Sequence, residues 1–281
     1  MPSDNGGVRA LVITGYGLNC EAETSYALQL AGARPEQVHL SELLAGNRTL
    51  DEFHLLAFIG GFSFGDHLAA GTAFANRVRR RLGDSLQRFV EDGKLVIAIC
   101  NGFQTVVKLG LLPGLDGDYQ TRLVTLTNND CGTFLDRWVR LRFNPGSPCV
   151  FTQGLEAMDL PVRHGEGKFV ALNDEVLDAV RSRNLVAAQY VDPDTGEPTQ
   201  QFPHNPNGSV DAIAGVCDPT GRIFGLMPHP EAYLSPLNHP HWGRQKLAGR
   251  LPGKGAGTAL FDNAVRFARQ HLTSRGGGFG A

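Results

Sequence analysis

Cys100, His229 and Glu231 have the residue types and settings for nucleophilic chemistry. Cys100 ends the run Val96-Ile97-Ala98-Ile99, which is apolar on both faces, as a strand buried in a parallel sheet is. From Gln104 onward, Val106, Val107, Leu109 and Leu111 suit a helix closing at Gly114, so Cys100 falls on the bend between strand and helix. A thiol on such a bend stands clear of the sheet, and the helix N-terminus favours its thiolate. Ala98 and Gly102, two residues before and after, are small enough to relieve crowding there, as in the G-x-S-x-G elbow. The same position would also suit a buried cysteine that only packs.

A thiol nucleophile needs a base, and the base needs an orienter. In "GLMPHPEAY" His229 and Glu231 follow an apolar strand ending at Met227, and His-x-Glu in extended chain puts both side chains on one side. His229 is then the base and Glu231 the group that holds its tautomer. Cys20, in "GYGLNCEAE", competes for the nucleophile's role, since it too opens a helix. Glu21 and Glu23 disfavour a thiolate there, Asn19 reads as the helix cap, and no glycine stands two residues on, so Cys100 ranks first. Gly61 or Phe62, in "FIGGFSFGD", offers one oxyanion donor and the Asn101 N–H another, although Gly-Gly after a strand is also an ordinary turn. No Lys-Ser/Thr follows, which excludes a Walker-type nucleotide loop. His229 with His239 and His241 could chelate a metal, but no carboxylate or cysteine nearby completes that set, and no metal is expected.

The elements that must position these residues alternate in the first half of the chain. Strands are predicted at residues 9–14, 37–40, 55–59 and 94–100, with helices at 21–31 and 74–90 between them. Arg77, Arg79, Arg80 and Arg88 lie largely off the apolar stripe of the second helix and read as a solvated face. Further strands follow at 122–127, 137–143, 185–190, 212–217 and 222–227 with few helices between, and a last helix at 258–271. The expected fold is α/β: a doubly wound, mostly parallel sheet with antiparallel additions, functional residues gathering at the carboxyl ends of its strands. A single domain is expected over residues 1–275, with an irregular excursion at 234–257 and an unstructured tail at 276–281.

In a chain of 281 residues, 42% hydrophobic and 19% charged, a substantial core is available and disorder is excluded. A net charge of −2 leaves no electrostatic footprint for nucleic acid or an anionic membrane. Five scattered cysteines suit reduced thiols better than a disulfide framework. The N-terminal residues show no basic region followed by a long apolar one, so a cytoplasmic protein is expected.

Together the segments "GYGLNCEAET", "GGFSFGDHLAAG", "ICNGFQ", "PVRHGEGKF", "QYVD", "NPNGS", "IAG" and "MPHPE", in this order, resemble the class I (triad) glutamine amidotransferases. Within these the chain is similar to the glutaminase components of phosphoribosylformylglycinamidine synthases. The resemblance implies a flavodoxin-like fold and a Cys–His–Glu triad carried by Cys100, His229 and Glu231. It implies L-glutamine as substrate, with Gln104 and Phe62 beside it and His164 and Glu166 in the same cleft. The implied reaction frees ammonia through a γ-glutamyl thioester. The ammonia is used by a synthetase partner, accompanied by a small accessory subunit; ATP and Mg belong to that partner, and this chain needs no cofactor.

The sequence departs from the family pattern at Ala98, where the elbow usually has glycine, at Ala232, where arginine usually follows "PHPE", and in the length of residues 234–257. Two rivals keep the scaffold: a cysteine-elbow hydrolase of the PfpI type, which needs no late His-x-Glu, and a non-catalytic regulatory subunit.

Overall fold

The computed structural model describes residues 7–273; the tail at 276–281 lies outside them. Among the described residues eleven strands form two sheets. They are β1 (Arg9–Thr14), β2 (Arg34–His39), β3 (Leu55–Phe58), β4 (Leu95–Ile99), β5 (Val124–Thr127), β6 (Leu135–Phe143), β7 (Ala157–His164), β8 (Lys168–Ala171), β9 (Val186–Tyr190), β10 (Ile213–Cys217) and β11 (Ile223–Leu226). The helices are α1 (Glu21–Leu30), α2 (Leu40–Leu44), α3 (Thr72–Glu91), α4 (Asn101–Leu109), α5 (Asp174–Ser182), α6 (Trp242–Leu247) and α7 (Thr258–His271).

The main sheet has the order β2-β1-β3-β4-β11-β10-β9-β6-β7, and β5 pairs with β8 apart from it. From β2 to β11 the pairs are parallel; from β11 to β7 they are antiparallel. Every residue of β3, β4 and β11 is buried, which explains their uninterrupted apolar sequences. The expected parallel sheet with antiparallel additions is therefore the observed architecture. Because β1, β3, β4 and β11 are consecutive parallel neighbours, the segments leaving their carboxyl ends meet at one edge.

Several boundaries differ from the sequence expectation. The helix after Cys100 begins at once, at Asn101, and closes at Gly110 (φ 87°), not at Gly114. Cys20, not Asn19, occupies the cap position of α1, and no side chain caps that end. Strand β7 was not expected; Pro161 disguises it, but an edge strand tolerates proline. Its buried Met158, Leu160, Val162 and His164 show the two-residue alternation that could have revealed it. Helix α5 was also unexpected, although the Asn173 side chain accepts the Val176 N–H at 3.0 Å and acidic Asp174 and Glu175 open its first turn.

The stripe Phe74, Val78, Leu82, Leu86 and Phe89 buries α3. Not all its arginines are merely solvated: Arg77 lies over the rings of Tyr16 and Phe64, and Arg79 donates to the Lys108 carbonyl at 2.6 Å. The excursion at 234–257 is more ordered than expected. It holds α6, and Gly255 N–H to Leu234 O (2.9 Å) and Gly257 N–H to Tyr233 O (3.0 Å) close its neck.

Candidate active site

Cys100 has φ 52° and ψ −107°, a conformation that L-residues avoid and that an elbow imposes. Two neighbours make the bend feasible. A Cβ on Gly102 would stand 2.0 Å from the Phe58 carbonyl oxygen, so α4 approaches β3 only because residue 102 is glycine. Ala98 is fully buried, in register with Phe58 and Gly225, and its methyl is accommodated beside a strand neighbour that has no side chain. Gly102→Ala should cost about 1–3 kcal/mol, lower Tm by roughly 3–10 °C and abolish labelling of Cys100. A thermal melt and intact-mass measurement check this; full labelling at an unchanged Tm would contradict the steric account.

His229 follows β11 and is 3% exposed; its N–H donates to the carbonyl of Pro161 in β7 at 2.8 Å. Its Nδ1 meets Glu231 Oε1 at 2.6 Å. The pair shares one side not through extended chain, as the sequence suggested, but because Pro230–Ala232 forms a 3-10 turn capped by His229. Burial opposes a charge on the imidazole, but Glu231 and the neighbouring thiols of Cys100 and Cys20 outweigh it and raise its pKa well above the ordinary value. His229 Nε2 and Glu231 Oε2 are buried without hydrogen-bond partners. Cys100 Sγ instead lies 3.5 Å from the Arg163 carbonyl, a loose contact.

Beside the thiol, Gly61, Phe62, Asp66, Gln104, Phe134, Arg163, His164 and Glu166 line a cleft of about 110 Å³. The oxyanion expectation needs one correction. The Phe62 N–H donates to the Gly17 carbonyl at 2.9 Å, so it is not free to face the thiol; Gly61 and Asn101 remain as donors. The Phe62 ring lies at the mouth of the cleft, 6.0 Å from that of Phe134. Gln104 lines the cleft but its amide is engaged: Nε2 donates to the Glu166 carbonyl at 2.5 Å, and Oε1 accepts from Asn101 Nδ2 at 3.0 Å. The Glu166 carboxylate accepts the Ala70 N–H at 3.0 Å. Asp66, not singled out by the sequence, accepts from Asn101 Nδ2 at 3.1 Å; burial and then Glu166 raise its pKa.

His164 is buried at the end of β7. Asn129 Nδ2 donates to two carbonyls, so its Oδ1 must accept from His164 Nδ1 at 3.1 Å and from the Gly167 N–H. Nε2 therefore carries a lone pair, without a partner, in the wall of the cleft. Burial first, and the charge of His229 second, push the His164 pKa down to about 3. The unfolded chain takes up this proton near pH 6.5 and the native state refuses it, so stability falls as pH drops from 6.5 towards 3. Between pH 6.5 and 5 the loss is about 2 kcal/mol. Guanidinium unfolding of His164→Asn should show a shallower acid limb; an unchanged slope would refute the buried neutral imidazole.

Cys20 reaches the same centre from the loop after β1. That loop is laid against the Gly-Gly turn by Asn19 N–H to Gly60 O (3.2 Å) and by the Leu18–Gly61 bridge. A Cβ on Gly60 would stand 2.8 Å from His229 Cε1 and 3.0 Å from Cys20 Sγ, so this glycine admits both. Burial raises the Cys20 pKa, which disfavours its thiolate. His239 is not beside His229 as a second ligand; it lies 3.4 Å from Asp159 and packs edge-on to Trp138.

Residues 7–268 match the model of the CobB/CobQ-like glutamine amidotransferase domain. The phosphoribosylformylglycinamidine synthase subunit PurQ of Dehalococcoides mccartyi is 47% identical over 94% of this chain and 98% of its own. The protein of the same name from Methanococcus maripaludis is 40% identical over 92% and 97%. Among solved structures, a chain of PurLQS from Thermotoga maritima superposes with a TM-score of 0.69 at 29% identity, over 93% of this chain and 99% of that one. The chain belongs to the CobB/CobQ-like glutamine amidotransferase family, on the branch formed by the PurQ subunits of phosphoribosylformylglycinamidine synthase.

Proposed function

We propose that this chain is the glutaminase subunit of a phosphoribosylformylglycinamidine synthase, hydrolysing L-glutamine to glutamate and ammonia. The observation that carries the reading is the convergence of a strained elbow thiol, Cys100, with the buried His229–Glu231 pair at 2.6 Å. A PfpI-type hydrolase has no use for the late His-x-Glu, and a regulatory subunit has no use for the strain.

The Cys100 Sγ attacks the side-chain amide carbon while His229 holds the thiol proton, and the oxyanion takes the N–H groups of Gly61 and Asn101. His229 then protonates the departing nitrogen, which leaves as ammonia and a γ-glutamyl thioester on Cys100. The same imidazole deprotonates a water that cleaves the thioester and releases glutamate. Glu231 keeps Nδ1 protonated and stabilises the imidazolium. The lone pair of His164 Nε2 and the Glu166 carboxylate receive donors of the substrate, and Gln104 ties α4 to the loop that carries Glu166.

The ammonia passes to a synthetase subunit, which uses ATP and Mg; an accessory subunit completes the complex, and this chain itself needs no cofactor. Among the described residues no helix is long and apolar enough to cross a membrane, and the cytoplasm is the expected compartment. The test is glutamate release by the chain reconstituted with its synthetase subunit, paired with mass spectrometry after an electrophilic glutamine analogue. A single adduct on Cys100 with glutamine-dependent turnover is expected; an adduct elsewhere, or none with turnover intact, would overturn the assignment.

A further inference from the structure

His229 is shared by two thiols, and only Cys100 is used by the mechanism. One ligand-type atom from each of Cys20, His229 and Glu231 lies within 4.8 Å of the others. Three further features suit this group to a metal ion. The Glu231 carboxylate is 1% exposed and its Oε2 has no partner. Cys20 and Glu231 both line a cavity of about 450 Å³, together with Glu23, Tyr26, Ser235 and Asn238, so there is an entry path and room for a fourth, solvent ligand. The donors are one sulfur, one imidazole nitrogen and one carboxylate oxygen, a set suited to a borderline-soft divalent cation and not to Mg or Ca.

We infer that Cys20, His229 and Glu231 form an inhibitory site for a divalent cation of the Zn2+ class. Tetrahedral coordination needs ligand atoms roughly 3.4–3.7 Å apart. The group must therefore contract by about 1 Å at its widest, while the Nδ1–Oε1 pair opens from its present 2.6 Å. Two protons leave for solvent: that of the Cys20 thiol and the one held between Nδ1 and Glu231. The imidazolium, whose Nε2 proton came from Cys100, becomes a neutral imidazole; giving up that proton would then leave an imidazolate, so His229 can no longer protonate the departing nitrogen. Binding takes the base and its orienter away from the nucleophile while leaving Cys100 itself untouched. The inhibition rests on the glutaminase reading; the binding does not.

The experiment titrates Co2+ into the full-length chain and reads the sulfur-to-cobalt charge-transfer band in the near ultraviolet. The band is expected in Cys100→Ala with an affinity within about threefold of the unsubstituted chain. It is expected to vanish in the Cys20→Ser, Cys100→Ala double variant. Glu231→Gln should weaken binding by about tenfold, in keeping with the loss of one ligand. In parallel, Zn2+ inhibition of glutamate release should need at least about tenfold more metal in Cys20→Ser, measured against that variant's own metal-free rate, and chelator should reverse it. A band that survives in Cys20→Ser and disappears in Cys100→Ala would place the metal on the nucleophile and overturn the site. Absence of any thiolate band in a chain with native circular dichroism would overturn it too. A cobalt band at Cys20 in a chain without glutaminase activity would uphold the site and reject the functional reading instead.

Discussion

Replacing Cys100 with alanine is expected to abolish glutamine-dependent amidination by the reconstituted synthase, on the order of 10⁴-fold or more, while ammonia-dependent amidination survives. In the proposed reaction the thiol takes part only in making ammonia, so supplying ammonia directly bypasses it. Folding should change little. The residue is buried at the head of α4 and keeps no close hydrogen bond, and alanine removes a single sulfur atom from the bend. The strained φ of 52° remains the same demand on alanine as on cysteine. Loss of both activities would mean that the substitution disturbs assembly. Survival of both would move the nucleophile elsewhere, and Cys20, already against His229, would be examined first.

The second large effect is the unequal damage expected at the other two triad positions. His229→Ala removes the group that holds the thiol proton and protonates ammonia, so turnover should fall by on the order of 10⁴-fold. Glu231→Gln keeps a hydrogen-bonding group of the same size 2.6 Å from Nδ1 but removes the charge that outweighs burial of the imidazolium. The loss should be smaller, about 10²–10³-fold, and should fall on kcat with little change in KM, since neither side chain lines the cleft beside Cys100. Steady-state glutamate production at saturating and limiting glutamine separates these terms. An active His229→Ala variant would remove the base from the mechanism, and equal losses at the two positions would deny Glu231 a merely orienting role.

The site was legible in unequal parts. The elbow could be read because its requirements are local: a buried apolar strand, small residues flanking the thiol, and a helix beginning at once. His229 and Glu231 were legible as a pair by their spacing, though the 3-10 turn that joins them depends on Pro230 and on the anchoring of His229 N–H to Pro161. That anchor sits on β7, a strand absent from the sequence expectation. Its alternating pattern is real, but a proline in mid-run hides it unless the strand is known to lie at an edge. Strand β7 also carries the Arg163 carbonyl beside Cys100 and ends at His164 in the cleft wall. Its omission therefore left the Arg163–His164 wall of the cleft without a place in the sheet. Phe62 shows the converse error. Its place after a glycine pair suggested a backbone donor, yet its N–H is taken by Gly17, a partner that only the packing of two loops supplies.

By itself the sequence determined the class of chemistry and the parallel half of the fold. Both follow from short-range facts: which residues are apolar on both faces, where glycine and alanine relieve a bend, and which nucleophile follows a buried strand. Tertiary structure alone decided who meets whom. The order β1-β3-β4-β11 brings Cys20, the Gly60-Gly61 turn, Cys100 and His229 to one edge, because parallel neighbours release their carboxyl ends on the same side. Spacing along the chain pairs His229 with Glu231 and offers it His239 and His241; the sheet instead brings to it two thiols from two other loops. Strand order is a global property of the packed sheet, set by which apolar faces bury one another. No local pattern encodes it, and for that reason the second thiol beside His229 came into view only in the folded molecule.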